Sequence, residues 1–325
     1  MKNLICTAFS FKEGYETSTQ TGKKASLDTT EMYMKNIYVS LTSAKVHNPD
    51  ADVALFVNRP VSEQWEAKLT QNDISVRVCP FDEYAVPKEF RWALAFYKLC
   101  VLDHIVSSHD LFDNYGHVLL MDNDTYTTGP YDDLWSEADM GVLLYNVGHS
   151  FSHKDREVIR QDFLKFFEKE AKERAITHYG GELVAGSMAH LRDFMGTCRK
   201  VFDTMTKDPH LSMDKLAGDE TVWSVAAAVT DVPVINACPY IFRFWTEKFY
   251  LVSTVTVSNP VCIWHLPSEK NTGFIRMYGY YNRHLSFPSV DASSRIFGLM
   301  AARRPFSLGS FFFRLRKKIW KILRK

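Results

Sequence analysis

Short apolar runs alternate along the first half of the chain with segments whose apolar positions recur at helical spacing. Residues 4–9, LICTAF, form the first run. Met34, Ile37, Tyr38 and Leu41 form the first helical stripe, in a segment that opens on a capping-type pair, Asp28 and Glu31. Residues 53–57 predict a second buried strand, Val61, Trp65 and Leu69 a short helix, and Ile74, Val76 and Val78 a strand near the sheet edge. This β-α-β-α-β order predicts an α/β fold, a mostly parallel sheet with helices on its faces. Residues 11–27 are polar, contain Gly14 and Gly22, and read as a loop beside or over the site.

Residues 88–107 predict a helix with Arg91 and Lys98 seven apart on one face. The run Val118, Leu119, Leu120, Met121 then reads as a strand end buried on both faces. It leads directly into Asp122, Asn123 and Asp124, and Gly129–Pro130 turns the chain. Residues 140–145 predict another strand, and residues 154–175 a charged helix with Ile159, Phe163, Phe166 and Phe167 inward. The segment Tyr179–Ser187, YGGELVAGS, has paired glycines that permit either a close backbone approach or a β-bulge, and Glu182 is its one charge. A long helix follows with Leu191, Phe194, Met195, Cys198, Val201, Phe202 and Met205 on its core face. Gly218, Asp219 and Glu220 open another, with Val222, Trp223, Val225, Ala226 and Val229 as its apolar side. Residues 232–235 predict a strand, and residues 261–265, VCIWH, a further one that ends on His265 and is followed by Lys270 and Gly273.

Two carboxylates one residue apart at a strand's carboxyl end can converge on one hard divalent cation, which in turn grips phosphate oxygens. Carboxyl ends of strands are where open α/β sheets bind ligands. The plainer alternatives are an acidic turn at Asp122–Asp124, helix-dipole acids at Asp219 and Glu220, and a structural imidazole at His265. His265 nonetheless repeats the design of the acidic pair, an apolar strand delivering a coordinating group to its mouth.

Composition places the chain among folded globular proteins: 325 residues, 46% hydrophobic and 14% aromatic, enough to fill a sizeable core. The net charge of +1 hides an asymmetry. Residues 303–325 hold nine Lys/Arg and no acid, which leaves 30 bases against 38 acids in residues 1–302, a net of −8. The body thus offers no footprint for nucleic acid. The tail reads as an amphipathic helix, with Phe311, Phe312, Leu315, Ile319, Trp320, Ile322 and Leu323 opposed to Arg314, Lys317, Lys318, Lys321, Arg324 and Lys325. That pattern suits an anionic membrane surface, with docking on the body or a disordered basic tail as the alternatives. The six cysteines are scattered without a C-x-x-C pair, which suggests neither a zinc site nor a disulfide framework and fits a reducing compartment. The opening apolar run is too short for a signal peptide, and no stretch reaches membrane-spanning length. The expected placement is cytoplasmic and peripheral to a membrane.

The order of these features resembles the GT-A glycosyltransferases, most similar to glycosyltransferase family 8. The resemblance runs over residues 1–280 and is carried by Lys98-Leu99, Asp122-Asn123-Asp124 and the late strand ending in His265. YGGELVAGS and Asp219-Glu220 also resemble the blood-group-type retaining transferases. The resemblance implies a Rossmann-like mixed sheet over residues 1–300, with 301–325 as a separate membrane-association tail. It implies that Asp122, Asp124 and His265 bind Mn²⁺ or Mg²⁺ bridging the diphosphate of a nucleotide-sugar donor, expected to be a UDP-sugar. Lys270 would contact the diphosphate, with Lys98 near the donor and Thr7, Ala8 and Phe9 lining the nucleoside pocket; Arg91, on the Lys98 face of its helix, and Asn123, between the two aspartates, are further candidates for donor contact. Asp219 or Glu220, or else Glu182, would face the anomeric carbon, and the acceptor would be a glycan or glycolipid hydroxyl, with configuration retained. Two other classes stay open. A haloacid-dehalogenase-type phosphatase also places Asp-x-Asp after an apolar strand, although here Tyr126 stands where that family has Thr. The other is a non-catalytic sugar- or membrane-binding protein.

Overall fold

The computed structural model describes residues 1–12, 15, 27–90, 92–147, 153–207, 213–214, 218–246 and 261–299, with residues 311, 312, 315, 316 and 319. In chain order the elements are β1 (Lys2–Phe9), α1 (Leu27–His47), β2 (Asp52–Val57), α2 (Glu63–Thr70), β3 (Ile74–Val78), α3 (Tyr97–Ser107), α4 (His109–Asn114), β4 (Tyr115–Met121), β5 (Thr125–Thr127), α5 (Asp132–Ala138) and β6 (Val142–Asn146). There follow α6 (His153–Phe166), α7 (Glu168–Glu173), β7 (Tyr179–Ser187), α8 (Met188–Thr206), α9 (Asp219–Val229), β8 (Val234–Asn236), β9 (Ile241–Arg243), β10 (Ile263–His265), α10 (Gly273–His284) and α11 (Val290–Ile296).

Seven strands form one sheet in the order β3-β2-β1-β4-β7-β6-β8. β7 pairs antiparallel with both β4 and β6, and the other pairings in this sheet are parallel. Alternation of side chains splits the core in two. Leu4, Cys6, Ala54, Phe56, Val118 and Leu120 face α3, α8 and α9. Ile5, Val53, Leu55, Val57, Leu119 and Met121 face α1, α2 and α5. The apolar run before Asp122 is therefore buried on both faces, as its lack of alternation predicts. This is the mixed, mostly parallel α/β sheet flanked by helices expected for a GT-A-like fold.

A second sheet, β5-β10-β9, stands at the carboxyl end of β4. β10 pairs antiparallel with β5, setting His265 opposite Thr125, and parallel with β9, setting His265 beside Arg243. A third apolar cluster under it joins Tyr126, Phe244, Trp264, Phe274, Met277 and Phe297. The small sheet, absent from the sequence reading apart from its last strand, brings the late histidine back over the acidic pair.

Two expected helices differ. Residues 88–107 are not continuous: a 3₁₀ turn over Ala93–Phe96 precedes α3, and Trp92 breaks the run at φ −120°, ψ 32°. Arg91 lies outside the described residues. Residues 154–175 break at Phe167, φ −134°, ψ 50°. Phe166 and Phe167 both pack on the same core, and consecutive residues on one helix point about 100° apart, so a break is what turns both rings inward. All six cysteines are free. Among the described residues no helix is long and apolar enough to cross a membrane.

Candidate metal centre

β4 ends by handing Asp122 and Asp124 to the mouth of the sheet. The Asp122 amide is held by the Glu182 carbonyl of β7 at 3.0 Å, and the Asp124 carbonyl accepts the Leu266 amide at 2.9 Å. His265 Nε2 lies 3.6 Å from Asp122 Oδ2 and 3.4 Å from Asp124 Oδ1. One ligand atom from each of the three lies within 4.8 Å of the others. Ligands about 2.1 Å from a common octahedral ion stand roughly 3 Å apart, so small side-chain adjustments close this set on one cation. Two carboxylates and an imidazole are a donor set for a divalent cation.

Two ammonium groups adjoin the triad. Lys270 pairs with Asp124, its loop anchored by Glu269, whose carboxylate accepts the Thr272 hydroxyl at 2.7 Å and the Gly273 amide that opens α10 at 3.1 Å. Lys98 Nζ donates to Asp122 Oδ1 at 3.0 Å, to Asp219 Oδ2 at 2.8 Å and to the Gly181 carbonyl at 2.8 Å. Burial would lower the pKa of either lysine, but the facing carboxylates outweigh it and hold both above the ordinary lysine range. Burial likewise opposes ionisation of Asp124, yet Lys270 and His265 hold it well below the usual carboxylate range. For His265 burial is overcome by Asp124 and Glu182, which raise it to about 9.

The paired glycines fit both readings: the β6·β7 register breaks between Leu144, opposite Val184, and Tyr145, opposite Gly180, and both glycines also allow a close approach. A Cβ on Gly181 would overlap the Asp219 carboxylate and sit 2.6 Å from Lys98 Nζ. A Cβ on Gly180, facing the other way, would overlap the Glu182 carboxylate and sit 2.7 Å from Arg243 Nη2. On that second face Glu182 is fully buried and grips Arg243 through two bonds of 2.6 Å, while its Oε1 accepts His265 Nδ1 at 3.2 Å. Arg243 also donates to Glu220 Oε1 at 2.9 Å, and His178 Nε2 to Glu220 Oε2 at 2.8 Å.

No protein-family model and no curated protein matches the chain. Among solved structures it matches the apo form of mouse xyloside xylosyltransferase 1 at 9% identity and a TM-score of 0.48, over 82% of this chain and 97% of that one. A likeness of that degree carries no information on what this chain acts on.

The structure thus brings together Asp122, Asp124, His265, Lys98, Lys270 and Asp219 at one mouth, with Asn123 half-buried between the two aspartates. Thr7 is fully buried and its hydroxyl donates to the Met121 carbonyl at 2.8 Å, which staples β1 to β4; Ala8 and Phe9 are half-buried at the strand end. Glu182 has no exposed surface, and its two oxygens are engaged by Arg243 and His265. Arg243 and His178 escaped the sequence reading. The available signal was Arg243 as the single charge in an aromatic strand, IFRF, matched by Glu182 as the single charge in YGGELVAGS.

Proposed function

We propose that this chain is a divalent-metal-dependent glycosyltransferase that moves a sugar from a nucleoside-diphosphate donor to a hydroxyl of a glycan or glycolipid. The observation that carries the reading is the convergence of Asp122 and Asp124 from the large sheet with His265 from the small one, between two lysines. Asp122, Asp124 and His265 would hold the ion, which supplies Lewis-acid stabilisation to a departing diphosphate. Lys98 and Lys270 add positive charge where negative charge grows, in a site largely closed to water. Ala8 and Phe9 stand where a nucleoside would lie against the end of β1.

The sugar carbon becomes oxocarbenium-like as its bond to phosphate breaks, so a nearby carboxylate stabilises it. Asp219 and Glu220 take this part in our reading, adjacent acids pushed apart by their surroundings. Burial holds Asp219 above the usual range despite Lys98; Glu220, partly exposed and beside Arg243 and His178, falls to about 2. Retention, a UDP donor, Mn²⁺ as the metal and a place in family 8 follow the sequence resemblance. A thermal-shift panel of nucleotide sugars with and without Mn²⁺ tests the reading: one donor should raise the melting midpoint only when Mn²⁺ is present, and a flat panel contradicts it.

The basic tail supports a peripheral position on an anionic membrane. Phe311, Phe312, Leu315, Arg316 and Ile319 are helical and exposed, and the remaining tail positions lie outside the described residues. Removing residues 303–325 should abolish binding to phosphatidylserine vesicles and leave donor hydrolysis intact; unchanged vesicle binding refutes the assignment.

A further inference from the structure

A fully buried glutamate bonded to an arginine whose side chain is only 15% exposed is an expensive arrangement. Apolar residues of similar volume are often as stable in such a place, so the pair calls for a reason other than stability. The geometry gives one. The Glu182 main-chain carbonyl holds the Asp122 amide at 3.0 Å, and its side-chain Oε1 holds His265 Nδ1 at 3.2 Å. One residue thus grips a ligand from the large sheet through its backbone and a ligand from the small sheet through its carboxylate. Arg243 is the strand neighbour of His265 in β10·β9 register, and its fork fixes both Glu182 oxygens. Gly180 leaves out a side chain that would collide with this pair.

We infer that Glu182, clamped by Arg243, is the positioning residue of the metal centre: it locks the ring of His265 so that Nε2 faces Asp122 and Asp124. With Nδ1–H donating to Glu182, Nε2 is the nitrogen left facing a cation, which displaces the Nε2 proton on binding. The inference rests on the metal reading of the site and adds the residues that hold its third ligand.

The test is binding of Mn²⁺ alone to the full chain, followed by the electron paramagnetic resonance of free Mn²⁺. Glu182→Gln should weaken Mn²⁺ binding about 10- to 100-fold. Arg243→Met should weaken it comparably, and Arg243→Lys, which keeps the charge but not the fork, should recover part of the loss. A purely structural role predicts a lower melting midpoint with Mn²⁺ affinity within about twofold of the parent; that result overturns the inference. Should Glu182→Gln fail to fold, Arg243→Lys decides alone: unchanged affinity overturns the inference, and a several-fold loss supports it. Absence of Mn²⁺ binding by the parent chain contradicts the metal reading itself.

Discussion

Gly180 and Gly181 are neighbours in β7, face opposite ways, and make room for two ion clusters that differ in kind. On the Gly181 face one flexible ammonium, Lys98, is shared by Asp122, Asp219 and a backbone carbonyl, and the Asp122 side chain keeps 28% of its surface exposed. On the Gly180 face a planar guanidinium is locked by two bonds to Glu182, which has no exposed surface, and by a third to Glu220. A lysine is a point charge that can turn to a passing anion, whereas an arginine fork fixes geometry. Under the proposed function Lys98 meets the departing diphosphate and the Arg243–Glu182 fork holds His265 still, while Glu220, bound by the same arginine, reaches the substrate from the second face.

Lys98→Met should break this comparison most visibly. It should lower sugar transfer by about 10²- to 10³-fold, as loss of one charge-stabilising donor does, while Mn²⁺ affinity stays within a few-fold. Equal loss of both in steady-state rates and Mn²⁺ titrations would show that the two faces are one unit. Gly181→Ala and Gly180→Ala sharpen it further, since each adds one methyl group on one face. Both should cost about 1–3 kcal/mol of stability in denaturant melts. Gly180→Ala should weaken Mn²⁺ binding and Gly181→Ala mainly transfer; the reverse pattern would contradict the assignment. The smallest effect lies away from β7. Asp162 in α6 is buried, accepts the Asp214 amide at 3.1 Å, and burial pushes its pKa up to about 6. Its folded-state pKa lies above the unfolded value of about 3.9, so ionising it destabilises the fold progressively as pH rises from about 4 through 6. Asp162→Asn should therefore stabilise on the order of 2 kcal/mol at pH 7 and nothing near pH 4, read by thermal melts at both. No gain at pH 7 would mean that burial does not set the cost there.

What was legible in the chain follows from where the signal was local. The buried run before Asp122 and the alternation of strands and helical stripes are periodicities of neighbours, and the large sheet follows from them. The acidic pair was visible because an apolar strand delivers it, and His265 because it repeats that design. Glu182 was visible as a charge but not in its role. Its partners, Arg243 and His265, come from strands distant in sequence that meet only when β9 and β10 pair. The breaks at Trp92 and Phe167 escaped for a related reason: they serve packing against other elements, which helical periodicity does not encode.

The central claim is that Asp122, Asp124 and His265 share one cation. Anomalous diffraction from crystals soaked in Mn²⁺ measures this directly. A single peak should lie about 2.0–2.3 Å from one oxygen of each aspartate and from His265 Nε2. A peak elsewhere, or none at these three residues, would contradict the account.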